Sequence, residues 1–286
     1  MVLHYNSTVP GPHTQPMQSV EVLKLCPYIH TLLRPPYPQE DGLHFNYETL
    51  GVSLPALRRL EWWFNVAAER SGGINSLGAV LHGAPNIFYL FVDGVIGFGR
   101  LWVQKQTLPR LQILRLGTIN GLFLNQITSC WSMPSLTHLV LDFPLPDSSW
   151  GLICDAFGHQ LKVIELGKHV RFLANDSLSF CLNGCPGIKE LNFYLCFTFP
   201  AYPNTIQLHN NLTTVRLHSA VNGLLPGETT IWHIIDHHFE LLSGSNLPAL
   251  RRIILYGDWE SILHHPRFIP IRDKLQDIDR VLELSH

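Results

Sequence analysis

Leu108-Pro-Arg-Leu-Gln-Ile-Leu-Arg-Leu116 is the stretch on which the reading of this chain turns. Within it Leu111, Leu114 and Leu116 form an L-x-x-L-x-L box, and Pro109 stands two residues ahead of the first leucine. The box recurs, with first positions at Leu57, Ile87, Leu111, Leu136, Leu161, Ile188, Leu212 and Leu250. Its other two positions are Leu60/Trp62, Leu90/Val92, Leu114/Leu116, Leu139/Leu141, Ile164/Leu166, Leu191/Phe193, Val215/Leu217 and Ile253/Leu255, all apolar. A weaker copy starts at Ile29 with Leu32, and Arg34 breaks its third position. Successive starts differ by 28, 30, 24, 25, 25, 27, 24 and 38 residues. Self-similarity at a period in this range is the mark of a stacked-repeat architecture.

Proline occupies the place two residues before the box at Pro27, Pro55, Pro85, Pro109, Pro134, Pro186 and Pro248. There it stops a preceding helix and biases its neighbour toward extended backbone. Each box therefore reads as a short strand. The segments Ser76–His82, Leu122–Trp131, Ser149–Phe157, Asp176–Leu182 and Ile231–Leu242 read as helices between the strands. Strand and helix alternating through short links imply parallel strands with helical crossovers. A fixed period turns this α/β pattern into a curved solenoid, with the sheet on the concave side and the helices on the convex side.

The ends differ from the middle. Residues 1–18, rich in Pro, Ser, Thr and His, read as a disordered lead, and residues 19–258 as about eight repeats plus an incomplete first one. Ile271, Leu275, Ile278 and Leu282 share one face of an amphipathic helix, with Arg272, Asp273, Lys274, Asp277, Asp279 and Arg280 opposite. Residues 259–286 are thus expected to form a C-terminal helical cap.

The 286 residues carry a net charge of −2, with 46% hydrophobic and 15% charged side chains. That balance lacks the basic face nucleic acid requires. The most apolar run, Ile87 to Gly99, is broken by Asp93 and too short to span a bilayer. No secretory leader is visible, and the sequons at Asn6, Asn175 and Asn211 matter only in a secreted chain. The expected setting is cytoplasmic or nuclear, with no membrane or nucleic-acid partner. Cys26 and Cys185 sit three residues before a box, Cys154 and Cys181 seven before, and Cys130 six before. Such equivalent slots suit thiols packed as small hydrophobes on the inward side of the helices.

The boxes resemble the leucine-rich repeats, over roughly Ile29 to Tyr256. More narrowly, Leu57-Arg-Arg-Leu-Glu-Trp-Trp-Phe64, Gly72-Gly-Ile-Asn-Ser-Leu77 and Phe157-Gly-His-Gln-Leu-Lys-Val-Ile-Glu-Leu-Gly167 look like the degenerate solenoids attached to F-box motifs in fungal, particularly basidiomycete, proteins. Leu25-Cys26-Pro27 and Gly184-Cys185-Pro186 match the helix-to-strand junction of such repeats. The resemblance implies substrate selection for an SCF-type ubiquitin ligase. Two features depart from it. The slot three residues after the box, usually Asn or Cys, holds Val95, Ile119, Pro144, His169, Cys196 and Ala220, so an asparagine ladder is essentially absent and the turns must satisfy their backbone otherwise. No F-box precedes the repeats, and Val22–Leu25 reads as the second half of a repeat helix. The chain is therefore expected to be a fragment, or a product that begins inside the solenoid, and a ligase scaffold is a partner only if an F-box lies upstream.

Candidate chemistry is sparse. His233, Asp236, His237 and Glu240 share a helix face, but Ile234 stands where a metalloprotease motif needs its glutamate. The apolar set Ile231, Ile234, Ile235, Phe239 and Leu242 explains that helix as packing. Gly94, Gly97 and Gly99 lack the spacing of a nucleotide loop, and there is no G-x-S-x-G elbow. No catalytic residue, cofactor or metal is expected. Box positions three, five and seven should instead project from the concave face. That stripe supplies the candidate partner-binding residues Arg59, Glu61, Trp63, Tyr89, Phe91, Asp93, Arg115, His138, Asp142, Glu165, Glu190, Tyr194, Arg216, Arg252 and Tyr256. Its aromatic and arginine content suits a protein-binding surface. The alternative is a scaffold or truncated repeat protein without a dedicated ligand; a metal-dependent enzyme comes third.

Overall fold

In the computed structural model every copy of the box becomes a parallel strand. The structure describes residues 28–34, 53–64, 69, 76–95, 105–143, 145, 147–167, 177–195, 205–219 and 229–285. The lead over residues 1–18, the half-helix Val22–Leu25, Cys26, Pro27, Gly97, Gly99 and Cys196 lie outside them. The chain forms two compact units, Met1–Leu136 and Thr137–His286.

In the first unit β1 (Thr31–Arg34), β2 (Arg59–Trp63), β3 (Tyr89–Asp93) and β5 (Ile113–Leu116) are neighbours in a parallel sheet, and β4 (Gln106–Thr107) pairs separately with β6 (Trp131–Ser132). Thr31 pairs with Arg59, Arg59 with Tyr89, and Tyr89 with Ile113. These are the third box positions, so the repeats stack without stagger. The weak copy at Ile29 is a true member of the series.

The second unit keeps the same register through β7 (His138–Leu141), β8 (Val163–Leu166), β9 (Glu190–Tyr194), β10 (Thr214–His218), β11 (Arg252–Tyr256) and β12 (Val281–Ser285). Between strands lie α1 (Leu77–Gly83), α2 (Gly121–Cys130), α3 (Asp147–Phe157), α4 (Ser177–Gly184) and α5 (Thr229–Leu242), each overlapping a helix read from the sequence. The short helix α6 (Glu260–Leu263) and α7 (Ile269–Asp277) follow β11.

All twenty-four box residues are no more than 2% exposed. Burying a Leu, Ile or Val side chain is worth about 1.5–3 kcal/mol, so these positions form the core of each unit. In the second unit the box residue Phe193 packs against His238 of α5, with ring centroids 5.4 Å apart.

The prolines do more than end helices. The amide of the first box residue donates to the carbonyl three residues back: Leu57 to Leu54 (3.1 Å), Ile87 to Ala84 (3.3 Å), Leu111 to Leu108 (3.2 Å), Leu136 to Met133 (3.1 Å), Ile188 to Cys185 (3.2 Å) and Leu250 to Leu247 (3.1 Å). Pro55, Pro85, Pro109, Pro134, Pro186 and Pro248 thereby occupy the second place of a β-turn, where their fixed φ suits the chain. Leu161 and Leu212 have no such proline, and the Leu161 amide donates to the Phe157 carbonyl four residues back (3.2 Å). Leu212 is satisfied by a side chain. Its amide donates instead to Nδ1 of buried His209 (3.1 Å), whose Nε2 lies 3.2 Å from the Cys185 carbonyl. With Nδ1 accepting, the proton belongs on Nε2, which donates to that carbonyl.

A second device links successive turns. Asn86 donates to the Pro55 carbonyl (2.8 Å), Ser135 to that of Pro109 (2.7 Å), and Asn211 to that of Pro186 (2.9 Å). Each donor immediately precedes its box. A polar ladder thus exists, at the entry to the strands.

The C-terminus departs from the expected cap. Helix α7 ends at Asp277, Asp279 adopts a left-handed φ of 56°, and Leu282 lies in β12, paired with Ile253 of β11. The helical spacing of Ile271, Leu275, Ile278 and Leu282 therefore spans a helix and a strand. Leu282 and Leu284 fill the fourth and sixth places of another box whose first place is Asp279. Arg280, expected on the polar face of the helix, is buried and donates to the carbonyls of Leu242, Gly244 (3.0 Å) and Leu247 (2.8 Å). It ties the end of α5 to the entry of β11, and burial lowers its pKa.

Arg34 explains the broken first box. Its guanidinium lies over the Trp62 ring (4.4 Å) and pairs with Glu69 (3.4 Å). Glu69 also accepts from the Trp62 indole (2.8 Å) and from the Leu77 amide that opens α1 (2.9 Å). Burial pushes the Glu69 carboxyl up against these stabilising bonds. Leaving the partners of this partly buried carboxylate unsatisfied costs about 1–3 kcal/mol. Glu69→Ala should lower unfolding free energy by that order in urea denaturation, whereas a surface carboxylate such as Asp258 should tolerate the same change.

Candidate functional site

The outer positions of the strands are less open than the alternation suggests, because they pack on one another. In the first unit Trp63 meets Phe91 edge-on (4.9 Å between centroids), and Arg115 lies over the Phe91 ring (5.0 Å). Arg59 lies over Tyr89 (4.2 Å) and donates to Glu61 from Nε (2.8 Å) and Nη2. Phe91 is only 7% exposed and forms the floor of this group, while Trp63, Tyr89 and Arg115 are half-buried and Arg59 is exposed. The parallel register accounts for the adjacency: Arg59 faces Tyr89, Glu61 faces Phe91, and Phe91 faces Arg115.

Asp93 and Asp142 have a role inside the fold. Asp93 Oδ1 accepts from the Gly94 amide (2.6 Å) and from the Thr118 amide (2.7 Å). It reaches across the seventh place of the next box, Gly117, where an added Cβ would stand 2.4 Å from Asp93 Cγ. Asp142 stands in the same relation to Gly167, whose added Cβ would be 2.4 Å from Asp142 Oδ1. An aspartate in one repeat followed by glycine in the next is a strand-exit device, a role that the outward phase of these two residues did not suggest. Gly94, with φ at +80°, belongs to the same exit and packs against the Phe64 backbone.

In the second unit the outer face is matched to itself. Tyr194, His218 and Tyr256 stack in series, with centroids 4.6 and 4.8 Å apart. Burial lowers the His218 pKa, with Glu165 opposing and Arg216 adding to the shift. Arg216 pairs with both oxygens of Glu190 and donates to the Tyr256 hydroxyl. Arg252 binds Glu283 through two bonds of 2.8 Å, which raises the arginine and lowers the carboxyl from their ordinary values. His138 Nε2 lies 2.6 Å from Glu165 Oε1. Glu283 was hidden from sequence reasoning by the helical spacing around it; the alternation Leu282-Glu-Leu284 was the signal.

The histidine helix keeps its packing role. Ile231, Ile235, Phe239 and Leu242 are buried. His233 and His237 meet edge-on (4.2 Å), and Asp236 pairs with Arg267 (3.2 Å). Among the described residues no group of three or more His, Cys, Asp or Glu is placed to hold a metal ion, and no helix is long and apolar enough to cross a membrane. No family model matches the chain, and no curated protein is significantly similar to it.

Asp93→Ala should cost about 1 kcal/mol or more, the penalty for leaving two partly buried amide donors unpaired. Gly117→Ala should destabilise by displacing the same carboxylate. Because both act on one contact, urea unfolding of the double variant should show less than the sum. Strict additivity would mean that the carboxylate does not depend on Gly117.

Proposed function

We propose that the chain is a leucine-rich-repeat solenoid that binds a protein partner through the concave side of its sheet, at the Arg59–Trp63–Tyr89–Arg115 group. The observation carrying this reading is the grouping of half-buried Trp63, Tyr89 and Arg115 with exposed Arg59 over a buried Phe91. In the second unit the rings of the stripe stack mainly on one another. In the first they stand against arginines, of which Arg59 is also paired with Glu61. Clusters of Trp, Tyr and Arg around an apolar floor have the composition of interface hot spots. The partner suited to it presents an apolar side chain beside carboxylates, since arginine pairs bidentately with that group.

The resemblance to F-box solenoids extends the proposal to substrate selection for a ubiquitin ligase, in an assembly where an F-box is supplied. A scaffold without a dedicated ligand is the competing reading. It is favoured by the self-satisfied second unit.

Affinity purification followed by titration of a recovered partner separates these readings. Trp63→Ala with Arg59→Ala should weaken that partner roughly thirtyfold, equivalent to about 2 kcal/mol. Tyr194→Ala should leave its affinity within about threefold, a change under 1 kcal/mol. Full retention by the first variant, with its fold intact by circular dichroism, would exclude binding at this group.

A further inference from the structure

We infer that Cys154 and Cys185 form an oxidisable dithiol, a site where a peroxide installs a disulfide between helix α3 and the turn that follows α4. Their sulfurs lie 3.9 Å apart although the residues are 31 positions apart in the chain. Two glycines produce this approach. A Cβ on Gly158 would stand 2.2 Å from the Gly184 carbonyl, and one on Gly184 would stand 2.2 Å from the Cys154 sulfur. The two segments meet where neither carries a side chain, and the Cys154 sulfur occupies the space left.

The pair is asymmetric in the way stepwise oxidation requires. Cys154 is half-buried and can meet a small peroxide, whereas Cys185 is fully buried beneath it. The Cys185 thiol can donate to the Cys154 sulfur, which can itself donate to the Phe180 carbonyl (3.7 Å). The Cys185 contact draws the Cys154 pKa down, and the same contact together with burial pushes Cys185 up. Thiolate character and access select the sulfur that is oxidised first. Cys181, also buried, lies one helical turn before Cys185 and is the competing partner.

The chemistry balances without a metal. The Cys154 thiolate attacks one peroxide oxygen; an S–O bond forms, the O–O bond breaks, and hydroxide departs as water with the thiol's proton. The Cys185 sulfur then attacks the Cys154 sulfenic acid; the S–S bond forms, the S–O bond breaks, and the hydroxide leaves as water with the Cys185 proton. The thiols lose two electrons, and one peroxide becomes two waters. The sulfurs must close from 3.9 Å to about 2.0 Å, a shift that side-chain rotation and a small approach of the helices can supply. The product joins segments on either side of β8 and fixes α3 against α4.

The test is mass spectrometry on the full reduced chain, treated with hydrogen peroxide while folded, alkylated, and digested. The expected result is a linked peptide assigned to Cys154–Cys185, reversed by dithiothreitol, retained in Cys181→Ser and lost in Cys154→Ser. A thermal scan should place the oxidised wild type above the reduced form, with no such difference in Cys154→Ser. The proposal is overturned if both thiols stay fully alkylatable after peroxide. It is equally overturned if Cys154 proceeds to sulfinic acid without a link, or if the link joins Cys154 to Cys181. The wild-type peptide map decides the matter even if a variant fails to fold.

Discussion

The hydrogen bond that closes the turn before each box sets everything downstream of it. With Leu57, Ile87, Leu111, Leu136, Ile188 and Leu250 each donating to the carbonyl three residues earlier, and Leu161 to the one four residues earlier, the strands that follow begin at the same point of their repeats. Parallel strands of four or five residues have little else to fix their register, and a slip of one residue would turn every core side chain outward. The turn removes that freedom. Side-chain bonds from Asn86, Ser135 and Asn211 to the preceding proline carbonyls then join one entry to the next. Proline is missing before Leu161 and Leu212; a carbonyl four residues back serves the first and a histidine ring the second.

Common register has a consequence at the surface. Third, fifth and seventh box positions come into line across strands, so whatever residues occur there must interact with their counterparts. Opposite charges and stacked rings quiet the surface, as in Arg216 with Glu190, Arg252 with Glu283, and the series Tyr194, His218, Tyr256. Around Trp63 and Tyr89 the rings stand against arginines instead, and this is the group proposed to bind a partner. The proposed division of labour between the two units follows from which residues face which.

The repeated box made most of the architecture legible, because eight copies outweigh the looseness of any one. The five inter-strand helices were legible for the same reason. The last strand was not: Asp279 holds the place of the leucine, and Ile271, Leu275, Ile278 and Leu282 happen to satisfy helical spacing across a break. Arg280 looked solvent-facing because nothing in a sequence shows that three carbonyls converge on it. The candidate surface was legible as positions rather than roles. Asp93 and Asp142 stand in the outward phase like their neighbours, yet the glycines at 117 and 167, a repeat later, make them strand exits. The contact between Cys154 and Cys185 depends on two glycines whose significance appears only when α3 and α4 are brought together.

Native-state amide hydrogen exchange tests the central claim most directly. Slow exchange marks amides whose bonds break only when a whole cooperative unit opens. The amides of Leu57, Ile87, Leu111, Leu136, Ile188, Leu212 and Leu250 should exchange among the slowest in the chain, alongside those of the strands they introduce. If they exchanged at the rate of exposed loops while α2 and α5 stayed protected, the turns would not be setting the register, and the account would fail.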